Sequence, residues 1–318
     1  MGDDDGELEC LLSESKDVDE AVGKLLDEAQ TLDDLETAMP LYERALALDP
    51  EHATVHYNIG LVYKYRGAWA DSLHHNRIAS DLREGYEAAN WNMGIAATAL
   101  RDWPAAREAW RRAGIAIAQG EGPIEEDFGM TPVRLNPEDR GEVVWARRID
   151  PVRAIIANIP YASSGFREGD IVLHDGAAVG QREVGDRIYS VFNVLELFEA
   201  SALSTYEAEV RPRDQADLDS LVQALDAAKV EHEVWTTNMR VLCKQCSEGL
   251  PHEHHEGEKA SGWPDSHVLG ISATSPDAAR RVLETWSAGG GFLSKLVRRA
   301  NAERLLRFEC ALAGPAVH

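Results

Sequence analysis

The residues of this chain that are best suited to chemistry form one short cluster of cysteines and histidines in its last third. Cys243 and Cys246 are separated by two residues, and His252, His254 and His255 follow within nine residues of Cys246. Two thiolates at this spacing can hold one metal ion from a tight turn, and zinc favours tetrahedral sulfur and nitrogen ligands. We therefore predict a zinc site formed by Cys243, Cys246 and two of the three histidines, which would hold a long hairpin in place.

The same cluster permits three other interpretations. Glu253 and Glu256 lie among the histidines, which also suits an exposed polar loop that binds no metal. A CxxC pair can carry out thiol exchange, although this one does not lie between a strand and a helix. A zinc ion with three protein ligands and one water would be hydrolytic, with Glu248, Glu253 or Glu256 as the base. His267, at the start of the next predicted strand, is a further candidate ligand.

Other catalytic motifs are scarce in the sequence. It contains no G-x-S-x-G elbow, no P-loop and no H-E-x-x-H motif, which removes several common enzyme classes. His174 and Asp175 are adjacent on a predicted strand, where neighbouring side chains point to opposite faces. We therefore interpret Asp175-Gly176 as a turn and not as part of a catalytic dyad.

Composition and charge limit the partners and the setting. The 318 residues carry a net charge of −23, which disfavours nucleic acid and anionic lipid as partners. The sequence has no apolar run long enough for a transmembrane helix, and its acidic start is unlike a secretory signal. Four cysteines imply no disulfide framework, so we expect a soluble protein of the reducing cytoplasm. Residues 1–18 are predicted to be an acidic leader, either a solvated cap or a lure for a basic partner.

A 34-residue repeat organises the first third of the chain. Asn58-Ile59-Gly60 recurs as Asn92-Met93-Gly94, and the same interval relates Ala45, Ala79 and Ala113. Small residues at fixed offsets let two antiparallel helices approach closely. The pattern resembles the tetratricopeptide repeat, with three copies at 19–52, 53–86 and 87–120 in an array that spans 19–120.

The resemblance implies an α-solenoid whose first helices line a concave groove for a peptide or a partner helix. His56, Asn58, Tyr65 and Asn92 are nearest to the family's usual contact positions, so we take them as candidate partner-binding residues. The array lacks the regular basic clamp expected for acidic C-terminal peptides. The repeats could also pack against the rest of the chain and bind nothing external.

The middle of the chain changes to a strand-like pattern. Residues 119–123 contain two glycines and a proline, and acidic residues follow at 125–127, so we predict a linker at 121–135. Residues 136–200 hold four or five short β-branched runs separated by turns, which predicts a small antiparallel barrel or curled sheet.

The last third, residues 201–318, shows a second fold signal. The order of its segments is strand–helix–strand–strand–helix–strand, which resembles the ferredoxin-like split βαβ arrangement. The cysteine–histidine insert at 243–267 separates the second and third strands. An amphipathic segment from Phe292 to Arg304 leads into the apolar run 305–312 and completes the order.

The sequence therefore predicts a multidomain α+β protein: an α-solenoid of three helix pairs, a small β-rich domain and a ferredoxin-like α/β sandwich. The leading functional hypothesis is a non-enzymatic adaptor that binds protein or peptide through the repeats and carries structural zinc. A metal-dependent hydrolase that uses the cysteine–histidine cluster is the main alternative. A regulator that senses a small ligand through the ferredoxin-like domain is a third hypothesis, by fold analogy.

Overall fold

The computed structural model describes residues 4–32, 34–138, 141–237 and 263–298. This part of the chain divides into two compact units, one that ends at Ile124 and one that begins at Glu125. The first unit is helical and the second is rich in β-sheet. The described residues of the predicted 136–200 and 201–318 domains both fall in the second unit.

The first unit consists of three helix pairs. Short connections join successive helices, which makes sequence neighbours antiparallel. The helices are α1 (Asp4–Gln30), α2 (Leu35–Leu48), α3 (Ala53–Arg66), α4 (Trp69–Leu82), α5 (Glu87–Ala99) and α6 (Trp103–Arg112). Because α1 begins at Asp4, most of the predicted leader 1–18 belongs to the first helix.

Local capping explains several of the helix boundaries. The Asp34 carboxylate accepts a hydrogen bond from the Glu36 amide at 3.0 Å before α2. The Asp102 carboxylate accepts one from the Ala105 amide at 3.1 Å at the start of α6. Gly67 has a φ of 71° and ends α3 in the left-handed conformation that glycine adopts at low cost.

Two glycines one repeat apart let the helices of a pair pack closely. A Cβ on Gly60 would lie 2.4 Å from Asn76 Nδ2, and a Cβ on Gly94 would lie 2.5 Å from the Trp110 ring. Asn76 and Trp110 are themselves one repeat apart, so the same contact recurs with different side chains. The Ser72 hydroxyl also donates to the Gly60 carbonyl at 2.8 Å, which ties α4 to α3.

The segment after α6 is held against that helix. The Arg107 guanidinium donates to three backbone carbonyls, those of Ala118, Gly122 and Pro123, at 3.1, 2.6 and 3.4 Å. The Ile115 amide donates to the Trp110 carbonyl at 2.8 Å and closes the last turn. The first residues of the predicted linker 121–135 are therefore fixed by hydrogen bonds to the helical unit.

Five strands form a closed barrel at the start of the second unit. They are β1 (Met130–Leu135), β2 (Glu142–Arg148), β3 (Arg153–Ile156), β4 (Ile171–Val184) and β5 (Arg187–Glu199). Successive strands pair antiparallel, and β1 closes the barrel by pairing parallel to β5. The parallel closure follows from the odd strand number, since the first and fifth strands of an up-and-down meander run in the same direction.

The barrel differs from the sequence prediction in two places. Strand β1 lies within the predicted linker 121–135, which the glycines, the proline and the acidic residues at 119–127 indicate. Asp175-Gly176 lies inside β4 and not at its end, because the strand continues to Val184 after a bulge. The turn that joins β4 to β5 is at Gly185, with a φ of 58°.

A four-stranded antiparallel sheet follows the barrel. Its strands are β6 (Ser204–Arg211), β7 (Glu231–Val234), β8 (His267–Ala273) and β9 (Phe292–Arg298), in the spatial order β7-β8-β6-β9. Helices α7 (Gln215–Ala227) and α8 (Asp277–Ala288) lie between β6 and β7 and between β8 and β9 in sequence. The two helices and the sheet share one apolar core, which includes Tyr206, Ala208, Leu221, Leu225, Leu269, Ile271 and Leu283.

The last described strand covers a segment that the sequence analysis assigns only as amphipathic, and the predicted run 305–312 lies outside the described residues. Phe292–Arg298 pairs with β6, whereas the sequence pattern indicates an amphipathic segment from Phe292 to Arg304 that leads into 305–312. Leu293 and Leu296 stand opposite Val210 and Ala208 and pack against the helix-covered core. Pairing with β6 satisfies the backbone of this segment, which sequence periodicity alone does not reveal.

The barrel and the sheet are joined by polar and aromatic contacts within the second unit. The Trp235 indole donates to the Ile159 carbonyl at 3.1 Å and lies so close to Gly270 that a Cβ there would be 2.2 Å from the ring. The Asn158 amide donates to the Glu233 carboxylate at 2.7 Å. These contacts account for the compactness of the second unit.

Candidate partner-binding surface

One face of α3 carries two of the four candidate partner-binding residues. Asn58 and Tyr65 are seven residues apart, which places both on the same face of the helix. Tyr65 is 47% exposed, and Asn58 is half-buried. The Lys64 ammonium lies 4.4 Å from the centroid of the Tyr65 ring, a cation–π contact. The face therefore presents an amide and an aromatic ring about two helical turns apart.

Aromatic contacts continue from α3 to the start of α5. The Tyr57 and Tyr86 rings lie 5.2 Å apart, and the Arg83 guanidinium lies 4.4 Å from the Tyr86 ring centroid. Tyr57 directly precedes Asn58 on α3, so this cluster borders the Asn58–Tyr65 face. Sequence reasoning did not select Tyr57 or Tyr86. The alignment of Tyr57 within the first helix of its repeat is the signal that could have found it.

His56 lies on the inner side of α3. It is 6% exposed, and its two ring nitrogens lie 3.0 Å from His75 Nδ1 and 2.9 Å from the Pro50 carbonyl oxygen. Burial, together with the neighbouring His56 and His74, lowers the pKa of His75 to about 4. Both nitrogens of His56 are engaged within the chain, so the structure places this side chain in the interior and not with Asn58 and Tyr65.

Asn92 is also placed in the interior. It is 5% exposed on α5, a helix that is buried along most of its length. Its Nδ2 atom has no hydrogen-bond partner among the described residues. Asn92 occupies the repeat position of Asn58, so equivalent positions in consecutive repeats differ in exposure. Of the four predicted residues, Asn58 and Tyr65 lie together on an accessible face.

The predicted metal ligands Cys243, Cys246, His252, His254 and His255 lie outside the described residues. Within the four described ranges, no group of three or more histidine, cysteine, aspartate or glutamate side chains could hold a metal ion. The predicted zinc therefore stays a prediction.

His267 is the additional candidate ligand that the structure describes. It begins β8 with 1% exposure, and burial lowers its pKa. Neither ring nitrogen has a hydrogen-bond partner in the part of the chain that the structure describes. The Trp263 ring lies 4.6 Å away, and its indole donates to the Pro212 carbonyl at 3.4 Å. The imidazole thus has two buried nitrogens without a described hydrogen-bond partner. Such an arrangement destabilises the fold unless a ligand binds to one of them.

Comparison with known proteins supports the repeat interpretation of the helical unit. Residues 32–67 match the family model described as TPR repeat. This range spans the end of the first helix pair and the first helix of the second pair, including the candidate residues His56, Asn58 and Tyr65. No curated protein matches the chain.

One solved structure similar to part of this chain is the second TPR of Spaghetti (RPAP3), bound to the HSP90 peptide SRMEEVD. The identity is 20%, the match covers 29% of this chain and 89% of that chain, and the TM-score is 0.28. Among the residues described, no helix has the length and apolar character needed to cross a membrane.

Proposed function

We propose that this protein is a non-enzymatic adaptor that binds a protein or peptide through its TPR region. The observation that carries the proposal is the Asn58–Tyr65 face of α3, which stays accessible while the other side of the helix is filled by packing. Helical repeats of this kind present extended surfaces for partners.

The chemistry of the face suits an extended peptide. The Asn58 amide can both donate to and accept from a peptide backbone. Tyr65 supplies a large, rigid contact area, a property that makes tyrosine frequent at binding hot spots. The adjacent Tyr57–Tyr86–Arg83 cluster lengthens the surface along the helix pair.

A peptide-display selection against the full chain tests the proposal, followed by fluorescence anisotropy on the recovered peptides. We expect Tyr65→Ala to weaken binding at least tenfold, since truncating a hot-spot tyrosine typically costs more than about 1.4 kcal/mol. Leu82→Ala is the matched control, because Leu82 is similarly exposed but lies at the end of the second helix α4. Recovery of no saturable ligand, or equal losses in both variants, would refute the adaptor function.

We also propose that the C-terminal sheet with α7 and α8 is a ferredoxin-like module. Two observations support it: the element order strand–helix–strand–strand–helix–strand and the sheet order β7-β8-β6-β9 with every pair antiparallel. In this arrangement the two helices share one apolar core with the sheet, as a split βαβ fold requires.

A structural zinc in the insert is a second proposal for this module. The unsatisfied nitrogens of His267 favour it, because a metal ion would give one of them a partner where the chain returns from the insert. Elemental analysis of tag-free protein, wild type against Cys243→Ser/Cys246→Ser, measures the metal directly. We expect one zinc ion per wild-type chain. The double variant should lose both the zinc and part of its thermal stability. Metal-free wild-type protein would exclude it.

A hydrolysis assay on the same two proteins separates an adaptor from the alternative hydrolase. A structural site has four protein ligands and supports no turnover, whereas a hydrolytic site keeps one position open for water. Zinc that is bound without any metal-dependent hydrolysis of ester or phosphoester probes would favour the structural role.

A further inference from the structure

Two polar side chains project into one end of the five-stranded barrel. His174 stands directly opposite Val194, and Arg148 stands directly opposite Ala154. Val194 and Ala154 both belong to the apolar core of the barrel. Directly paired residues of neighbouring strands lie on the same face of a sheet. Both polar side chains therefore point into the barrel.

His174 presents a buried hydrogen-bond acceptor. It is 1% exposed, and its Nδ1 donates to the Asp175 carbonyl at 2.8 Å. A neutral imidazole with its hydrogen on Nδ1 carries a lone pair on Nε2, and this Nε2 has no partner among the described residues. The Phe192 ring stacks on the imidazole at 5.1 Å and fixes its orientation. Burial lowers the pKa of His174 to about 4, so the ring is neutral at pH 7.

Arg148 presents a buried donor at the same end. Its terminal Nη2 donates to the Phe128 carbonyl at 2.8 Å, while its Nε–H is buried and lacks a partner within the described ranges. The neighbouring carboxylate of Asp150 already has other hydrogen-bond donors: it accepts from the Val152 amide and from the amide and guanidinium of Arg153. The charge of Arg148 also lowers the pKa of His174, which places the two groups in one electrostatic environment.

An irregularity in the strand pairing directs His174 into this position. The register between β4 and β5 shifts on both sides of His174, between Leu173 and His174 and again before Ala178. The Asp175 carboxylate holds the extra residues by accepting from the Gly176 amide at 2.7 Å. Bulges of this type re-aim single side chains and are common beside ligand sites.

We propose that this end of the barrel binds a small oxyanion that carries a hydroxyl hydrogen, of which inorganic phosphate is the simplest example. An anionic oxygen would accept from the Arg148 Nε–H, and the hydroxyl would donate to His174 Nε2. A water molecule could satisfy the hydrogen bonds but would not neutralise the positive charge of the half-buried Arg148. The site is separate from the helical repeats, and it does not depend on partner binding there.

Nuclear magnetic resonance of the full ¹⁵N-labelled chain tests the proposal through the imidazole nitrogens of His174. The signal is assigned with His174→Gln, and the protein is titrated at pH 7 with sodium phosphate or with sodium sulfate at matched ionic strength. Phosphate is expected to shift His174 Nε2 saturably. Sulfate has no hydroxyl hydrogen at this pH, so we expect it to bind about tenfold more weakly because the acceptor stays unpaired.

Two variants add a matched comparison. Arg148→Leu removes the buried donor and its charge, whereas Arg147→Leu removes an exposed arginine one residue away. We expect the first variant to lose phosphate binding at least tenfold and the second to retain it. If Arg148→Leu fails to fold, the comparison of phosphate with sulfate on the wild-type protein still tests whether this end of the barrel binds an oxyanion that carries a hydroxyl hydrogen. No saturable shift, or equal shifts with both anions, would overturn the proposal and leave only buried water at this end of the barrel.

Discussion

His75 Nδ1 donates a hydrogen bond to His56 Nδ1 over 3.0 Å, at the centre of the second helix pair. The direction follows from the other nitrogen of His56, which lies 2.9 Å from the Pro50 carbonyl oxygen and must donate to it. A neutral His56 with its hydrogen on Nε2 can only accept at Nδ1. Two hydrogen bonds thus link α4 through α3 to the loop before it, and the bond between the two rings requires that His56 Nδ1 carry no hydrogen.

Acidification is therefore expected to destabilise the helical unit. The pKa of His75 in the folded protein is about 4, lowered from 6.5 first by burial and then by the charges of His56 and His74. The unfolded chain binds the proton more readily, so stability is fully present above pH 6.5 and is lost as the pH falls towards 4. For a half-buried ring, we expect a loss of about 1–2 kcal/mol in the free energy of unfolding after screening.

Urea unfolding of wild type and His75→Gln at pH 7, 6, 5 and 4 measures this contribution. Glutamine keeps a donor but does not titrate, so the difference between the two proteins should shrink as the pH falls. A constant difference from pH 7 to pH 4 would show that the pair does not couple folding to protonation. His174 in the other unit also has a pKa of about 4. It titrates in both proteins, so its effect on stability cancels in the difference between them.

The close approach of the paired helices predicts that Gly60→Ala and Gly94→Ala destabilise the array. The new methyl groups would lie 2.4 Å from Asn76 Nδ2 and 2.5 Å from the Trp110 ring. Overpacking of this kind costs about 1–3 kcal/mol. Thermal or urea unfolding with circular dichroism at 222 nm provides the measurement.

Gly23→Ala serves as the control for these two variants. Gly23 lies within α1, and a Cβ there would meet nothing within 4 Å. Alanine should stabilise this helix by about 0.5–1 kcal/mol through its higher helix propensity. Opposite signs at Gly23 and at the two repeat glycines would confirm that close packing, and not backbone freedom, sets the requirement for glycine.

The buried ion pair in the barrel should tolerate the loss of one partner poorly. Arg153 Nε lies 2.5 Å from Asp150 Oδ2, and both side chains are almost fully buried. Arg153→Leu would leave the Asp150 carboxylate buried without its cation, at a cost of about 3–5 kcal/mol. Chemical denaturation monitored by tryptophan fluorescence measures the loss.

The double variant Asp150→Asn/Arg153→Leu tests the cause. Removing the charge should recover part of the stability, because the asparagine oxygen can still accept from the backbone amides of Val152 and Arg153. Equal destabilisation in the single and double variants would mean that packing of the arginine against Phe198, 5.0 Å from its guanidinium, dominates instead.

The helical repeats were predictable from sequence because their signal is periodic and local. Gly60 and Gly94 mark the same close contact 34 residues apart, and the TPR repeat match supports the repeat interpretation over residues 32–67. The contact face was less predictable. His56 and Asn58 are two residues apart, about 200° around a helix, so they point to opposite sides. The burial of His56 against His75 separates it from Asn58 and Tyr65.

The strands that pair over long sequence distances were the hardest to place. The sequence predicts a linker at Met130–Leu135, yet this segment closes the barrel by pairing with β5, about 60 residues away in sequence. Phe292–Arg298 has an amphipathic pattern, yet β6 offers it a strand partner. Neither pairing can be recognised from the sequence of the segment itself, because the partner strand lies in another part of the chain.

The sequence by itself determined the helical repeats, the acidic charge and the position of the cysteine–histidine cluster, because composition, periodicity and spacing are properties of nearby residues. The tertiary structure alone decided which repeat residues are accessible, which strands close the barrel and which polar groups are buried together. Arg148 and His174 illustrate the difference: they are 26 residues apart and show no common motif. Only the register of the barrel strands turns both side chains into the same interior, where His174 Nε2 and Arg148 Nε have no hydrogen-bond partner among the described residues.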